Sequence, residues 1–365
     1  MSMTAERSRA GSSEPDRLEG FAHPREADRL FGHAAAEREF AEALRSGRIH
    51  HAWLIVGPEG IGKATLAYRL ARSVLAEGEE VHPDHPVFRK VAALSHPNLL
   101  LIRRSWVEKS KRYSQWIGID EVRRLRAFLG HSAGEGNWRV VVVDRADELN
   151  QNAANALLKA LEEPPPRTLF LLISSTEGKL PVTIRSRTRV LRLTALGRED
   201  LEKAVRGALR SAEREIDSET LEKAFALSQG SVRRALELIA NDGIELYDEI
   251  ASQLAGLPEF DGPRLHRQVE RLGAAEGERL DLYLSLLLGL IERLIRVAAT
   301  GEAAAEAERR LSAQLLSRSN LAFWAEAWEA ISEAKSEAAA LNLDRSLLVL
   351  DTWFRLQALA REHPV

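Results

Sequence analysis

The sequence predicts an α/β domain built on a parallel sheet, followed by a wholly helical remainder, and three observations carry that prediction. A Gly-rich loop, Gly57-Pro-Glu-Gly-Ile-Gly-Lys63, lies between a β-rich run and a helix-like run. Short β-rich runs alternate with helical patterns from His23 to about Leu193. From about Gly197 onward only helical periodicity remains.

The chain has 365 residues, enough for two or three domains with their own cores. The expected divisions are a disordered tail over 1–22, an α/β phosphate-loop domain over 23–195, a small helical lid over 196–243 and a helical oligomerisation bundle over 244–365. Met1 to Gly20 is polar, of mixed charge, and lacks the apolar stretch of a signal peptide, hence the tail. The predicted strands are Ala52–Val56, Leu99–Ile102, Arg139–Val143, Thr168–Ile173 and Arg189–Leu193. Val140 to Val143 is an unbroken β-branched run, the pattern of a central strand covered on both faces.

Among the helices, Ala64–Leu75 follows the Gly-rich loop. Ala153, Ala154, Leu157, Leu158 and Leu161 form one helical stripe, which Pro164-Pro165-Pro166 ends. Arg198–Arg214, Ser218–Ser228 and Ser231–Asn241 make the lid. Leu280–Ala299, Leu321–Leu341 and Asp344–Arg361 make the bundle, with an Ala/Glu-rich separator, Gly301 to Arg309, between the first two. A membrane span needs roughly 20 nearly uncharged residues. Leu280–Ala299 carries Glu292, Arg293 and Arg296, so it reads as a buried bundle helix.

Composition sets outer limits on function. Net charge is −3, so no global positive field draws the chain onto nucleic acid. There is no cysteine, which excludes disulfides and thiolate metal sites and fits the reducing cytoplasm, the expected location.

The chemistry centres on the loop. Backbone N–H groups around Gly57, Gly60 and Gly62 can surround a phosphate, the following helix adds partial positive charge, and Lys63 reaches the outer phosphates. A hydrolysing loop places Ser or Thr directly after the Lys to hold Mg²⁺. Here that position is Ala64, and Thr65 comes one residue late, rotated by about 100° on a helix. Asp144 ends the Val-rich strand where a second Mg²⁺ contact belongs. With two catalytic positions altered, at Ala64 and Arg145, the expectation is a retired site: ATP, if held at all, is held without hydrolysis, and no cofactor is required.

Four blocks give the chain a specific resemblance: Gly47-Arg-Ile-His-His-Ala-Trp-Leu, Ile119-Asp-Glu-Val-Arg-Arg-Leu, the run from Asp144 to Pro166, and Leu180-Pro-Val-Thr-Ile-Arg-Ser-Arg-Thr. Over His23 to Leu238 the sequence resembles the AAA+ subunits of bacterial sliding-clamp loaders, part of DNA polymerase III, and their delta-prime type in particular. The resemblance implies an AAA+ domain, a lid and a C-terminal collar that closes a five-subunit ring. It implies that a Glu follows the strand's Asp in hydrolysing members, where this chain has Arg145. The family's Ser-Arg-Cys supplies an arginine finger to a neighbour's ATP; the matching residues are Ser186, Arg187 and Thr188, with Thr in place of Cys. A guanidinium suits the task because it stays charged and bridges phosphate oxygens, worth roughly 10³–10⁵ in rate. Gly230-Ser-Val-Arg-Arg-Ala-Leu resembles the family's sensor motif, with Arg233 as the sensor arginine; the first sensor falls at Ser174 or Ser175.

The implied function is a non-hydrolysing stator that supplies Arg187 in trans. Its implied partners are clamp-loader motor subunits and a delta-type subunit in a heteropentamer, the sliding clamp, and primed DNA through the complex, with no membrane. The alternative is an ATP-hydrolysing motor subunit of the same loader. A third class, an AAA+ regulator or unfoldase, usually retains the Glu and forms homo-oligomers. Many relatives carry a four-cysteine zinc module after the phosphate-loop helix, absent here. His82, Asp84, His85 and His96 lie among Pro83, Pro86 and Pro97, which reads as loop, so no zinc is expected. Arg103, Arg104, Trp106, Lys109, Lys111, Arg112, Tyr113 and Trp116 interleave base and aromatic, a pattern open to direct DNA contact or to an ordinary β-hairpin.

Overall fold

The computed structural model describes residues 14, 16–108, 112–130, 137–259, 261–273, 278–301, 306–341 and 345–365. They fall into two compact units, Met1–Asp217 with Leu227–Leu236, and Ser218–Ala226 with Glu237–Val365.

In the first unit the chain runs α1 (Ala34–Arg45), β1 (Ala52–Val56), α2 (Lys63–Leu75), α3 (Pro86–Ala92), β2 (Leu99–Ile102), β3 (Trp106–Val107), β4 (Arg112–Tyr113), α4 (Ile119–Gly130), β5 (Arg139–Asp144), α5 (Gln151–Glu162), β6 (Thr168–Ser174), α6 (Val182–Arg185), β7 (Arg189–Arg192) and α7 (Arg198–Ser211). Five strands form one sheet in the order β2-β5-β6-β1-β7, and every neighbouring pair is parallel. Each predicted strand is present, to within one residue at its C-terminal end.

The sheet has two apolar faces because side chains alternate along a strand. Leu54, Val141, Val143, Phe170 and Leu172 face one side, against Val122 and Leu125 of α4 and Leu157 and Leu161 of α5. Trp53, Ile55, Val140, Val142 and Leu171 face the other, against Phe40 of α1 and Leu66, Leu70 and Val74 of α2. Burial on both sides is why these strands read as unbroken apolar runs. The order and covering helices are those of an AAA+-like α/β fold.

α5 starts where Asn150 accepts a hydrogen bond from the Ala153 N–H at 2.9 Å, satisfying one of the orphan donors of the first turn. It ends at Glu162, ahead of the three prolines. β3 and β4 pair antiparallel, with Trp106 edge-on to Tyr113 at 5.2 Å between ring centres.

The expected tail through Ala22 is corrected at its C-terminal end. Residues 1–13 and 15 lie outside the described residues, but Glu14 and Asp16–Ala22 pack on the domain. The reason is specific pairing: Glu14 reaches Arg25 and Arg103, Asp16 reaches His23, and Phe21 is buried under Arg214. Such contacts leave no trace in local composition.

α8 (Ser218–Leu227) and α9 (Val232–Ala240) each run across the division between the two units. The second unit continues with α10 (Gly243–Ala255), α11 (Gly262–Gly273), α12 (Glu278–Thr300), α13 (Glu306–Leu315), α14 (Leu321–Leu341) and α15 (Arg345–Glu362). α12 is its centre: Tyr283, Leu284, Leu287, Leu290, Ile291 and Leu294 are fully buried, together with Trp324 of α14 and Trp353 of α15. Trp353 donates through its indole N–H to the Tyr283 hydroxyl at 2.9 Å, and that hydroxyl donates to Gln253 at 2.9 Å. The Ala/Glu-rich separator runs into α13. Its last four residues, Glu306 to Arg309, are helical, because Glu308 turns inward to Arg293 at 2.7 Å; residues 302–305 lie outside the described residues.

Candidate functional site

β1 delivers the chain into the Gly-rich loop at the C-terminal edge of the sheet, and α2 begins at Lys63. Gly60 and Gly62 have φ values of 75° and 105°, a region closed to most side chains. A Cβ on Gly60 would also collide with Ser231 and Arg233, whose N–H donates to the Gly60 carbonyl at 3.2 Å. The glycines thus let the loop lie against the turn that starts α9.

Beside this loop is a cavity of about 760 Å³. Of the sequence-predicted residues, Gly60, Gly62, Lys63, Thr65, Asp144 and Arg233 line it; Gly57 and Arg187 do not. Ala64 lines it with a methyl group where a hydrolysing loop has a hydroxyl. Ser175 lines it as well, whereas Ser174 is buried and donates to the Thr176 carbonyl at 3.0 Å. That assigns the cavity-facing position to Ser175.

Lys63 is folded onto its own loop. Its ammonium donates to the carbonyls of Gly57 at 2.7 Å and Pro58 at 2.6 Å. Burial pulls its pKa down to about 8. The carbonyls take up the hydrogen bonds that a phosphate would otherwise accept.

Asp144, at the end of β5, is buried. Burial, then the neighbouring Asp16 carboxylate, pushes its carboxyl up to about 8, so at neutral pH it is a proton donor. Burial works against ionisation of Asp16 also, but a hydrogen bond from His23 and the charges of His23 and Arg103 outweigh it and hold Asp16 well below the usual carboxylate range. The pair therefore shares one proton, the arrangement like charges adopt at close range.

Arg145 stands where hydrolysing relatives have a carboxylate. It sits in the left-handed region at φ 69° and reaches Glu148 at 2.9 Å and Glu59 of the Gly-rich loop at 3.3 Å. Glu148 and Glu59 are thus both tied to a cation.

Sequence reasoning missed Glu59, Arg103 and Asp16 as cavity residues. Arg103 pairs with Glu14 at 2.8 Å and Asp16 at 3.4 Å, and Arg233 donates to the Asp16 carbonyl at 2.7 Å. Arg104 pairs with Glu148 at 3.0 Å. Two basic residues of the basic/aromatic segment are therefore engaged by acidic groups of the same unit; Lys109 and Lys111 lie outside the described residues.

Arg187 lies after α6, away from the cavity. It is more than a third exposed, contacts Glu162 at 2.9 Å, and donates to the Thr183 carbonyl at 3.0 Å. His85 accepts from the Val87 N–H at 3.1 Å and His96 from the Asn98 N–H at 3.2 Å, both serving local backbone. Among the described residues no group of three His, Asp or Glu is placed to hold a metal, and no helix is long and apolar enough to cross a membrane.

A family profile described as "DNA polymerase III, delta subunit" matches residues 32–197. The delta' subunit of DNA polymerase III from Haemophilus influenzae is 30% identical over 244 residues, 64% of this chain and 71% of that one. The delta' subunit from Escherichia coli is 34% identical over 216 residues, 58% of this chain and 61% of that one. The tau subunit from Escherichia coli is 28% identical over 294 residues, 74% of this chain and 44% of that one. The chain spans about half the length of the first curated relatives it matches. A gamma subunit-related protein from Thermotoga maritima superposes with a TM-score of 0.41 at 18% identity, covering 87% of this chain and 98% of that one. By these sequence matches the chain belongs to the family of bacterial DNA polymerase III clamp-loader subunits that comprises gamma, tau and delta'.

Proposed function

We propose that this chain is a delta'-type stator of the clamp loader, which does not hydrolyse ATP itself and completes a neighbour's ATP site with Arg187. The observation that carries the reading is the corner formed by Ala64, Asp144 and Arg145. Hydrolysis needs Mg²⁺ held by a hydroxyl and a carboxylate, and a second carboxylate to orient water. This corner offers a methyl group, a protonated acid and a guanidinium already paired with Glu59 and Glu148.

The placement of Arg187 supports its half of the proposal. An arginine finger acts on another subunit's nucleotide, so it must lie outside its own cavity and be reachable. Glu162 holds the guanidinium at the surface by an exposed ion pair, worth at most about 1 kcal/mol and easily exchanged for phosphate. In this reading 196–243 is the lid and 244–365 the collar of a cytoplasmic heteropentamer of motor subunits, a delta-type subunit and this chain. That ring loads the sliding clamp on primed DNA.

A second reading, an ATP-hydrolysing motor subunit, is favoured by the cavity of about 760 Å³ and by the gamma and tau relatives. The test is clamp- and DNA-stimulated ATPase of the reconstituted loader with Arg187→Ala in this chain. The stator reading expects turnover to fall at least about tenfold, a floor well below the roughly 10³–10⁵ that an arginine finger supplies, while size-exclusion chromatography shows the complex intact. Unchanged turnover in an intact complex removes the finger.

A further inference from the structure

One wall of the cavity is a charged segment of the chain itself. Asp16 lines it beside Asp144 and Arg233, and Glu14 pairs with Arg103, which lines it too. The Asp16 carbonyl accepts from Arg233 at 2.7 Å, its carboxylate faces Arg103 at 3.4 Å, and the Glu14 carboxylate bridges Arg103 at 2.8 Å and Arg25 at 2.7 Å. Carboxylates and carbonyls set against guanidinium groups make the contacts that phosphate oxygens would make.

We propose that Glu14 and Asp16–Phe21 form an acidic strap that occupies the phosphate end of the nucleotide cavity, so that nucleotide binds only when the strap withdraws. The strap is held at both ends. At one end Phe21 is buried beneath the Arg214 guanidinium at 5.0 Å, followed by the turn in which the His23 N–H donates to Glu26 at 2.9 Å. At the other the Asp16 carboxylate pairs with His23 at 2.8 Å and Arg103 at 3.4 Å, beside the Asp144 carboxyl.

The strap also accounts for a basic residue that the loop does not explain. Arg103 comes from the segment after β2 and lines the cavity, yet its partners are Glu14 and Asp16. Withdrawal would release the contacts that Asp16 makes with Arg103 and Arg233, two guanidinium groups that line the cavity. The inference does not depend on any action of Arg187.

The test measures binding of N-methylanthraniloyl-ATP to the full chain, comparing wild type with the double variant Glu14→Ala, Asp16→Ala. Removing two charge-assisted competitors is expected to tighten binding at least about tenfold. Adding Lys63→Ala to that variant should abolish the gain, which locates it in this cavity. Affinity equal to wild type in a folded double variant overturns the strap. Should the double variant fail to fold, hydrogen exchange on wild-type protein decides. Excess ATP is expected to accelerate exchange at the amides of residues 16–22, and unchanged exchange at the highest ATP concentration overturns the proposal.

Discussion

Asp144 and Arg145 are adjacent in sequence and both depart from what nucleotide hydrolysis needs. Asp144 is legible as a site residue because it ends a β-branched strand, and Arg145 because it stands one place further on. What is not legible is the protonation of Asp144, which depends on its burial and then on Asp16 being brought against it from 128 residues away. The same holds for Arg103, whose setting in a basic and aromatic run suggests nucleic acid until its acidic partners are seen. The proton on Asp144 has a consequence for stability. The unfolded chain releases it near the ordinary carboxylate value and the folded chain at about 8. Folding therefore takes up a proton across that range, and this group's contribution falls as pH rises, by up to about 1.4 kcal/mol per pH unit. Above the folded value the loss levels off. Thermal unfolding should show wild type losing stability against Asp144→Asn between about pH 5 and about pH 8. Parallel melting temperatures across the series would mean the carboxyl is not protonated.

The five sheet strands are legible to within a residue because β1, β5 and β6 are apolar on both sides and β2 and β7 carry shorter β-branched or leucine-rich runs beside them. α5 is equally legible, with an Asn at its start and three prolines beyond its end. α13 is legible only in part. An Ala/Glu-rich stretch reads as a separator between helices, yet Glu308 turns inward to Arg293, and Leu311, Ser312 and Leu315 are buried beyond it. The Glu308 and Arg293 side chains are less than a tenth exposed, and the Tyr247 hydroxyl donates to the same carboxylate at 3.0 Å. Removing one partner strands the other in an apolar interior, at about 3–5 kcal/mol. Glu308→Ala should accordingly lower the melting temperature of the bundle sharply, whereas Arg293→Met with Glu308→Leu should recover most of the loss. Equal melting temperatures for wild type and Glu308→Ala would show that the pair is solvated.

At the scale of the whole molecule, the family could be read from blocks between His23 and Leu238, and the sequence matches to gamma, tau and delta' subunits place the chain there. The packing of Glu14 and Asp16–Phe21 could not be read, because a polar stretch is compositionally a tail until Arg25, Arg103, Arg214 and Arg233 are found to hold it. Nor does the C-terminal region carry motifs; the proposal that it forms a collar is supported by its position and helix content. The functional proposal needs two properties in one chain: a phosphate loop without turnover, and an arginine that serves turnover elsewhere.

The most direct measurement separates those properties within one assembly. Clamp- and DNA-stimulated ATP hydrolysis would be compared in loaders whose only change is Lys63→Ala or Arg187→Ala in this chain. The account predicts wild-type turnover with Lys63→Ala and at least about a tenfold loss with Arg187→Ala. The reverse pattern, loss with Lys63→Ala and none with Arg187→Ala, would make this chain a motor and contradict the account.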